Sequence, residues 1–251
     1  MKIVVTGASG FIGHHLSNSL LSDGHEVRRW DKSLDRDIKD FKLDFDDEYV
    51  IHLAAIADVR RSIQYPEEYW LNNVEYTKRI QDECHDKNIP LIYASSSCAK
   101  KWWLSPYGTS KKVTEATAHR GQIGLRFTTV YGDGARSSMF MEKMRNGSIS
   151  YTTNHIRDFI HVSDVVSAIR LLMEKTTSRT FTDYGGVYDV GTGEGVVVSE
   201  LAQIGGYTKL LKHKGAECEA NENIADNSRL RDMGWKPKIK AHEWVSNGYK
   251  C

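Results

Sequence analysis

The feature that most constrains the fold of this chain is the glycine-rich segment Thr6-Gly-Ala-Ser-Gly-Phe-Ile-Gly13, which lies between a short β-branched run and a helical pattern. In a G-x-x-G-x-x-G turn, the first glycine permits the tight turn, the second lets the backbone approach a pyrophosphate, and the third lets helix and strand pack closely. The amides at the start of the helix are donors for phosphates. The segment therefore predicts a dinucleotide-binding unit with contacts from Gly7, Gly10, Phe11, Ile12 and Gly13.

An acidic residue follows the second predicted strand, His25 to Trp30. Asp31 follows Gly13 at close to the spacing of about 20 residues that places a carboxylate on an adenosine ribose. Because a carboxylate there repels a 2′-phosphate, the spacing favours NAD over NADP; the alternative is a solvent-exposed aspartate at a strand end. In the charged connection that follows, we expect Asp37 and Ile38 to touch the adenine.

The third predicted strand ends in small residues, which let a backbone run past the cofactor. Leu53, Ala54 and Ala55 are the candidate contacts there. A helix from about Pro66 to Lys87 then carries Asn73. The residues alone favour an ordinary polar helix position for Asn73, and a cofactor contact is the alternative.

A tunable acid/base group is predicted between Leu91 and Lys112. A buried strand ends there in three serines, and Ser105-Pro106 then opens a helix. Tyr107 and Lys111 are four residues apart and share one helix face. We expect the ammonium to lower the pKa of the phenol. Ser96, at the strand end, is the hydroxyl that could share the moving proton.

Strands and helices alternate up to about residue 128 and less regularly beyond it. This predicts an α/β, Rossmann-type doubly wound parallel sheet over residues 1–128 and a smaller C-terminal substrate-binding lobe over residues 129–251. Residues from about 157 to 190 are predicted to return to the main domain. Within the lobe, Ser163 is predicted to cap a helix to Met173, and Asp226 to cap a helix to Met233.

Composition excludes several classes of protein. The chain has 251 residues, and 34 basic against 33 acidic side chains give a net charge of +1, which argues against a nucleic-acid protein. No apolar run approaches the roughly 20 residues of a membrane span. The four cysteines have no C-x-x-C spacing, which indicates reduced thiols in a cytoplasmic protein. The predicted partners therefore include neither nucleic acid nor membrane.

Several segments, in this order, resemble the extended short-chain dehydrogenase/reductases that act on nucleotide sugars. The resemblance implies NAD as cofactor and a nucleotide sugar, most closely a UDP-linked one, as substrate. It also favours the cofactor role for Asn73 and a homodimer. The matching segments are Thr6 to Gly13, Asp31, His52-Leu-Ala-Ala55, Asn73-Val74, Tyr93-Ala-Ser-Ser-Ser97, Tyr107-x-x-x-Lys111, Leu125 to Gly132, Arg157-Asp-Phe-Ile-His-Val162 and Asp189-Val-Gly-Thr-Gly193.

Within that family the chain is most similar to UDP-sugar 4-epimerases. Ala57-Asp-Val-Arg-Arg-Ser62, Thr129 and Arg136 resemble the UDP-glucuronate branch, where the threonine and arginine help to hold the sugar carboxylate and the diphosphate. The same resemblance assigns Ser97 and Cys98 to the substrate site. Arg157 is assigned to a phosphate, with a structural ion pair to Asp158 or Asp164 as the alternative.

The chain departs from the family pattern in length. Relatives carry a longer loop between the residues that match Ser96 and Tyr107, whereas this chain has Ala99-Lys-Lys-Trp-Trp103. Even this short link can reach about 36 Å when fully extended, so the two residues can still meet. Near the C-terminus the family's arginine before Gly-Asp is missing. Lys212 or Lys214 replaces that contact, or the contact is lost.

The resemblance implies that Tyr107, as phenolate, removes the sugar 4-hydroxyl proton as C4 gives up hydride, and that hydride then returns to the opposite face of a 4-keto sugar. A 4,6-dehydratase is disfavoured, because that branch has Asp-Glu where this chain has Ser97-Cys98. One alternative is a 3,5-epimerase/4-reductase like those that make GDP-fucose, since Ser96-x-Cys98 matches; Asp31 and the absence of a histidine at Asp133-Gly134 oppose it. Another is a non-catalytic NAD-binding sensor or assembly protein.

Overall fold

The computed structural model of the protein describes residues 1–177 and 181–250. Its strands are β1 (Lys2–Thr6), β2 (Glu26–Trp30), β3 (Tyr49–His52), β4 (Leu91–Ser96), β5 (Ile123–Phe127), β6 (Thr129–Tyr131), β7 (Tyr151–Thr152), β8 (Ile156–Arg157), β9 (Phe159–His161), β10 (Gly186–Val190), β11 (Val196–Val197), β12 (Leu211–Lys212) and β13 (Glu222–Asn223). Its α-helices are α1 (Phe11–Ser22), α2 (Val59–Gln64), α3 (Pro66–Trp70), α4 (Tyr76–Asp86), α5 (Pro106–Thr117), α6 (Phe140–Arg145), α7 (Val162–Thr177), α8 (Val198–Ile204), α9 (Ser228–Asp232) and α10 (Ala241–Ser246).

The main sheet is parallel, with the strand order β10-β5-β4-β3-β1-β2. The order reverses between β1 and β3, and in open α/β sheets a ligand binds outside the carboxyl ends of the strands at such a switch point. In register, Thr6 lies opposite His52, and Ser96 lies opposite Phe127. The glycine turn and the serine run therefore leave the same edge of the sheet, and the predicted Rossmann-type fold is confirmed.

Apolar residues cover both faces of the sheet, which explains the nearly continuous apolar strands in the sequence. On one face, α1 and α7 pack together over Ile3, Val5 and Ile51. On the other face, Val4 and Val50 pack with residues of α4.

The glycine turn allows a close approach that no other residue would permit. A Cβ atom on Gly13 would lie 2.0 Å from the main-chain oxygen of Gly7, and one on Gly7 would lie 2.7 Å from the amide nitrogen of Ala54. Gly7 also has φ +67°, in the left-handed region that favours glycine. The turn is therefore packed against both its own helix and the end of β3.

A second, smaller core holds the C-terminal part together, with Tyr131, Met141, Phe159, Leu201 and Trp244 among its buried residues. Helix α7 packs on α1 and strand β10 joins the main sheet, so both lie with the main domain, where we expected residues 157–190 to return. The boundary at residue 128 stays a prediction.

Some helix boundaries differ from those expected. The helix predicted from Pro66 to Lys87 contains a π-helical turn between α3 and α4, at Leu71–Glu75. Ser163 does not cap α7, because that helix already begins at Val162, and the Ser163 amide donates to Nδ1 of His161 (3.3 Å). Asp226 accepts from the Ser228 amide (3.2 Å), but the cap position of α9 is Asn227.

Candidate active site

The predicted catalytic residues lie on adjacent elements at the carboxyl edge of the sheet. Ser105 Oγ accepts from the Gly108 amide (3.0 Å) and fixes the start of α5. One turn apart on that helix, Tyr107 and Lys111 are 7% and 3% exposed. Ser96, the last residue of β4, is also buried, and its Oγ accepts from the Cys98 amide (3.1 Å). The structure therefore brings Ser96, Tyr107 and Lys111 to one cavity wall.

The acid/base balance of this set differs from the prediction. Burial raises the pKa of the Tyr107 phenol, so the expected lowering by Lys111 is wrong for the protein alone. The Ser96 hydroxyl and the Arg136 guanidinium are the neighbours that oppose this rise by favouring the phenolate. Burial lowers the pKa of Lys111 to about 8. The Lys111 ammonium donates to the main-chain oxygen of Ala94 (2.9 Å).

The glycine turn lines the same cavity with main-chain atoms. The cavity has a volume of about 780 Å³, and its walls on this side are Gly7, Gly10, Phe11, Ile12, Gly13, Leu53 and Ala55. No side chain caps the N-terminus of α1, so amide donors there are available to an anion. Asp31 accepts from the Ser9 amide (3.0 Å) and from Ser33 (2.9 Å), which ties its carboxylate to the turn. The free main-chain amides at the start of α1 fit a dinucleotide pyrophosphate.

Five predicted cofactor contacts do not line the cavity: Asp31, Asp37, Ile38, Ala54 and Asn73. Ile38 is buried in the core beside Val4 and Phe41, and Asp37 accepts from the Lys39 amide (3.1 Å) in a surface turn. Ala54 lies under the glycine turn. Asn73 is buried in the π-helical turn, and Asp31 is held at the glycine turn by the Ser9 amide. Ile38, Ala54 and Asn73 are placed by contacts with residues distant in sequence, which spacing along the chain does not show.

Asn73 is a fully buried residue that positions the wall of the cavity. Its side chain forms a pair of hydrogen bonds with the backbone of Ile56, accepting from the amide and donating to the carbonyl (both 2.9 Å). It also donates to Ser110 on α5 (3.2 Å). The π-helical turn that contains Asn73 directs it inwards. It therefore joins the loop after β3 to the helix that carries the catalytic residues.

The predicted substrate contacts all line the cavity: Ser97, Cys98, Thr129, Arg136 and Arg157. Arg136 donates to the main-chain oxygen of Ala57 (3.2 Å). Arg157 does form an ion pair, but with Glu219 (3.3 Å) and not with Asp158 or Asp164. Those two carboxylates instead accept from main-chain amides, Asp158 from Thr192 (2.8 Å) and Asp164 from Lys238 (3.0 Å).

The shortened link between Ser96 and Tyr107 forms 3₁₀ turns over Ser97–Leu104. It contributes Lys100 and Lys101 to the cavity wall, which motif comparison missed because these residues replace the family's loop. Lys100 forms an ion pair with Asp189 and donates to the main-chain oxygen of Ile224 (3.0 Å). The link is thereby fastened to Ile224, another residue of the cavity wall.

The C-terminal segment before α9 supplies a further wall that sequence reasoning missed. Glu219, Glu222 and Asn223 line the cavity, and Asn223 donates to Ser97 Oγ (2.6 Å). The proposed substitutes for the missing arginine, Lys212 and Lys214, lie outside the lining. Burial also raises the pKa of the Cys98 thiol.

Over the described residues, no helix has the length and apolar character needed to cross a membrane.

Comparison with known proteins gives consistent matches along the chain. The sequence model of the NAD dependent epimerase/dehydratase family matches residues 3–101 and 103–191. Protein CapI of Staphylococcus aureus is 33% identical, over 98% of this chain and 96% of the relative. A putative UDP-glucose 4-epimerase of Methanocaldococcus jannaschii is 28% identical, over 97% and 95%. The solved structure of MoeE5 in complex with UDP-glucuronic acid and NAD has a TM-score of 0.84 at 29% identity and covers 98% of this chain and 97% of that one.

The alignment with Protein CapI also bears on chain length. It runs over 330 residues, whereas this chain has 251. The relative therefore carries segments that this chain lacks, in agreement with the shortened links inferred from the motifs.

Proposed function

Because the chain belongs to the NAD dependent epimerase/dehydratase family, we propose that it is an NAD-dependent 4-epimerase of a UDP-linked hexose or hexuronate. One observation carries the proposal. Ser96, Tyr107 and Lys111 line the same cavity as the glycine turn, so an acid/base group and a dinucleotide site face one space. MoeE5 binds UDP-glucuronic acid and NAD in its own structure, which supports the same pair of ligands here.

NAD is held in this proposal by the glycine turn and the uncapped start of α1, with Asp31 on the adenosine ribose. When bound, its nicotinamide supplies a reversible hydride acceptor. Asn73 acts indirectly, by fixing the loop after β3. A carboxylate at Asp31 disfavours a 2′-phosphate, which is why NAD and not NADP is proposed.

The chain's own residues supply the proton transfer. Tyr107 as phenolate accepts the proton of the sugar 4-hydroxyl and returns it after the sugar has turned, while Ser96 hydrogen-bonds the same sugar oxygen. The Lys111 ammonium favours the phenolate by its charge. Burial alone raises the pKa of Tyr107, so the phenolate depends on the Ser96 hydroxyl and on positive charge. Arg136 and Arg157 hold the anionic groups of the substrate.

The test is turnover without added reductant. Purified protein is incubated with UDP-glucose, UDP-N-acetylglucosamine or UDP-glucuronate, and the C4 epimers are separated by chromatography. We expect interconversion of at least one pair with no added reductant, because the net redox change is zero. No turnover of any of them, or turnover only with NADPH, would refute the proposal.

Cys98 favours a second candidate, a 3,5-epimerase/4-reductase. Its thiol lines the cavity beside Ser96, and burial raises its pKa, so it is a protonated group within the site. Such an enzyme consumes a reduced nicotinamide stoichiometrically, and NADPH oxidation with a GDP-4-keto-6-deoxy sugar would identify it. NAD binding without turnover of any nucleotide sugar would instead indicate the non-catalytic sensor. A homodimer and a cytoplasmic location stay predictions.

A further inference from the structure

The short segment Ser97–Leu104 lies between the catalytic residues Ser96 and Tyr107 and has two distinct sides. One side lines the cavity, including Cys98, Lys100 and Lys101. The other side carries Trp102 and Trp103, which are 43% and 62% exposed. Because the segment is flanked by Ser96 and Tyr107, which line the same cavity, its inner side continues the wall that carries these catalytic residues.

The two lysines of this segment differ in their partners. Lys100 is neutralised by Asp189 and donates to a main-chain oxygen. Lys101 has a non-helical backbone (φ −117°, ψ 53°) that separates two 3₁₀ turns. Its ammonium has no hydrogen bond or ion pair within the part of the chain that the structure describes, although it lines the cavity. Lys101 is thus a solvent-exposed cation at the cavity wall that is available to pair with an anionic ligand.

The cavity as a whole carries an excess of positive charge. Its cationic side chains are Lys100, Lys101, Lys111, Arg136 and Arg157, and its anionic side chains are Glu219 and Glu222. Asp189, outside the lining, neutralises Lys100, and the remaining four cations still outnumber the two glutamates. Clefts lined by one sign of charge attract ligands of the opposite sign. A diphosphate is common to every UDP-sugar, so only an anionic group on the sugar distinguishes one such substrate from another by charge.

We propose that Lys101 is a specificity-determining residue that favours a hexuronate, by pairing its ammonium with the carboxylate of the sugar. The inference rests on the proposed function and narrows its substrate class to acidic sugars. Arg136 supplies positive charge near Tyr107, and Lys101 adds a second cation to the lining of the same cavity, from a segment that replaces the family's longer loop. A neutral hexose gains nothing from Lys101.

Binding can be measured without turnover in a Tyr107→Phe background. Titration calorimetry with UDP-glucuronate and UDP-glucose is carried out on this parent and on versions that also carry Lys101→Met, Lys101→Arg or Lys236→Met. Lys236 is an exposed lysine outside the cavity lining and serves as the matched control.

We expect Lys101→Met to weaken UDP-glucuronate binding about tenfold, the loss typical of one charge-assisted hydrogen bond, with UDP-glucose binding unchanged within about twofold. Lys101→Arg should restore most of the loss, and Lys236→Met should change neither ligand. An equal loss for both ligands, or no loss for UDP-glucuronate, would overturn the inference alone. A parent that binds neither nucleotide sugar would overturn the proposed function, and the inference with it.

Discussion

Replacing Lys111 by methionine should stabilise the fold while it removes a catalytic group. The Lys111 side chain is 3% exposed, and burial lowers the pKa of its ammonium from 10.5 to about 8. Each pKa unit corresponds to about 1.4 kcal/mol, so keeping this ammonium charged at pH 7 costs the folded chain about 3 kcal/mol. Methionine removes that cost but leaves the Ala94 carbonyl without its donor, at about 1 kcal/mol. The expected net gain in the free energy of unfolding is about 2 kcal/mol.

The pH dependence of the free energy of unfolding tests the burial cost of the Lys111 ammonium independently. Between pH 8 and 10.5 the unfolded chain holds a proton on Lys111 that the folded chain releases, so the stability of the wild-type protein rises with pH in this window. The variant lacks this contribution. Its advantage over the wild type should therefore be largest at pH 7 and should shrink towards pH 10.5.

The measurement is urea unfolding of nucleotide-free protein, followed by the fluorescence of its six tryptophans, at pH 7 and at pH 10. Lys112→Met is the matched control, because the neighbouring lysine is 46% exposed and lies 3.7 Å from Glu115. It should change stability by no more than about 0.5 kcal/mol. Two results would contradict a burial cost at Lys111: a Lys111→Met protein less stable than the wild type at pH 7, or a stability difference between the two proteins that does not vary with pH.

Further predictions concern catalysis, the glycine turn and the buried charges. Tyr107→Phe should lower kcat at least about a hundredfold, as loss of a general base does, and should leave NAD bound. Tyr65→Phe, at a half-exposed ring, is the control and should leave kcat unchanged. Retained activity of Tyr107→Phe would remove Tyr107 from its role. Gly13→Ala should lower the free energy of unfolding in urea by about 3 kcal/mol or more, because the added Cβ would lie 2.0 Å from a main-chain oxygen. Asn18→Ala, on the exposed face of the same helix, is the control. Equal stability of the Gly13→Ala and Asn18→Ala proteins would contradict the close packing at Gly13. Glu115→Gln should cost about 3 kcal/mol, since this buried carboxylate accepts two hydrogen bonds from one guanidinium on β5 (2.7 and 2.6 Å); a thermal shift below about 2 °C would argue against it.

Local sequence determined the parts of this protein that depend on neighbours along the chain. The glycine spacing predicts the turn between β1 and α1, because only glycine tolerates a carbonyl 2.0 Å from its Cβ position. Tyr107 and Lys111 share a helix face because they are four residues apart. The order of motifs also indicated the family and showed that the link between Ser96 and Tyr107 is shortened.

Tertiary structure decided what depends on partners distant in sequence. Burial raised the pKa of Tyr107 where the adjacent lysine predicted the reverse: desolvation is the largest influence on this buried phenol, and the Lys111 ammonium donates to the Ala94 carbonyl. Arg157 pairs with Glu219, which is 62 residues away, instead of its sequence neighbour Asp158. Asn73 and Ile38, both expected to contact the cofactor, are instead held by a hydrogen bond to Ile56 and by core packing, respectively. Such outcomes follow from which surfaces the fold buries, and spacing along the chain carries no information about them.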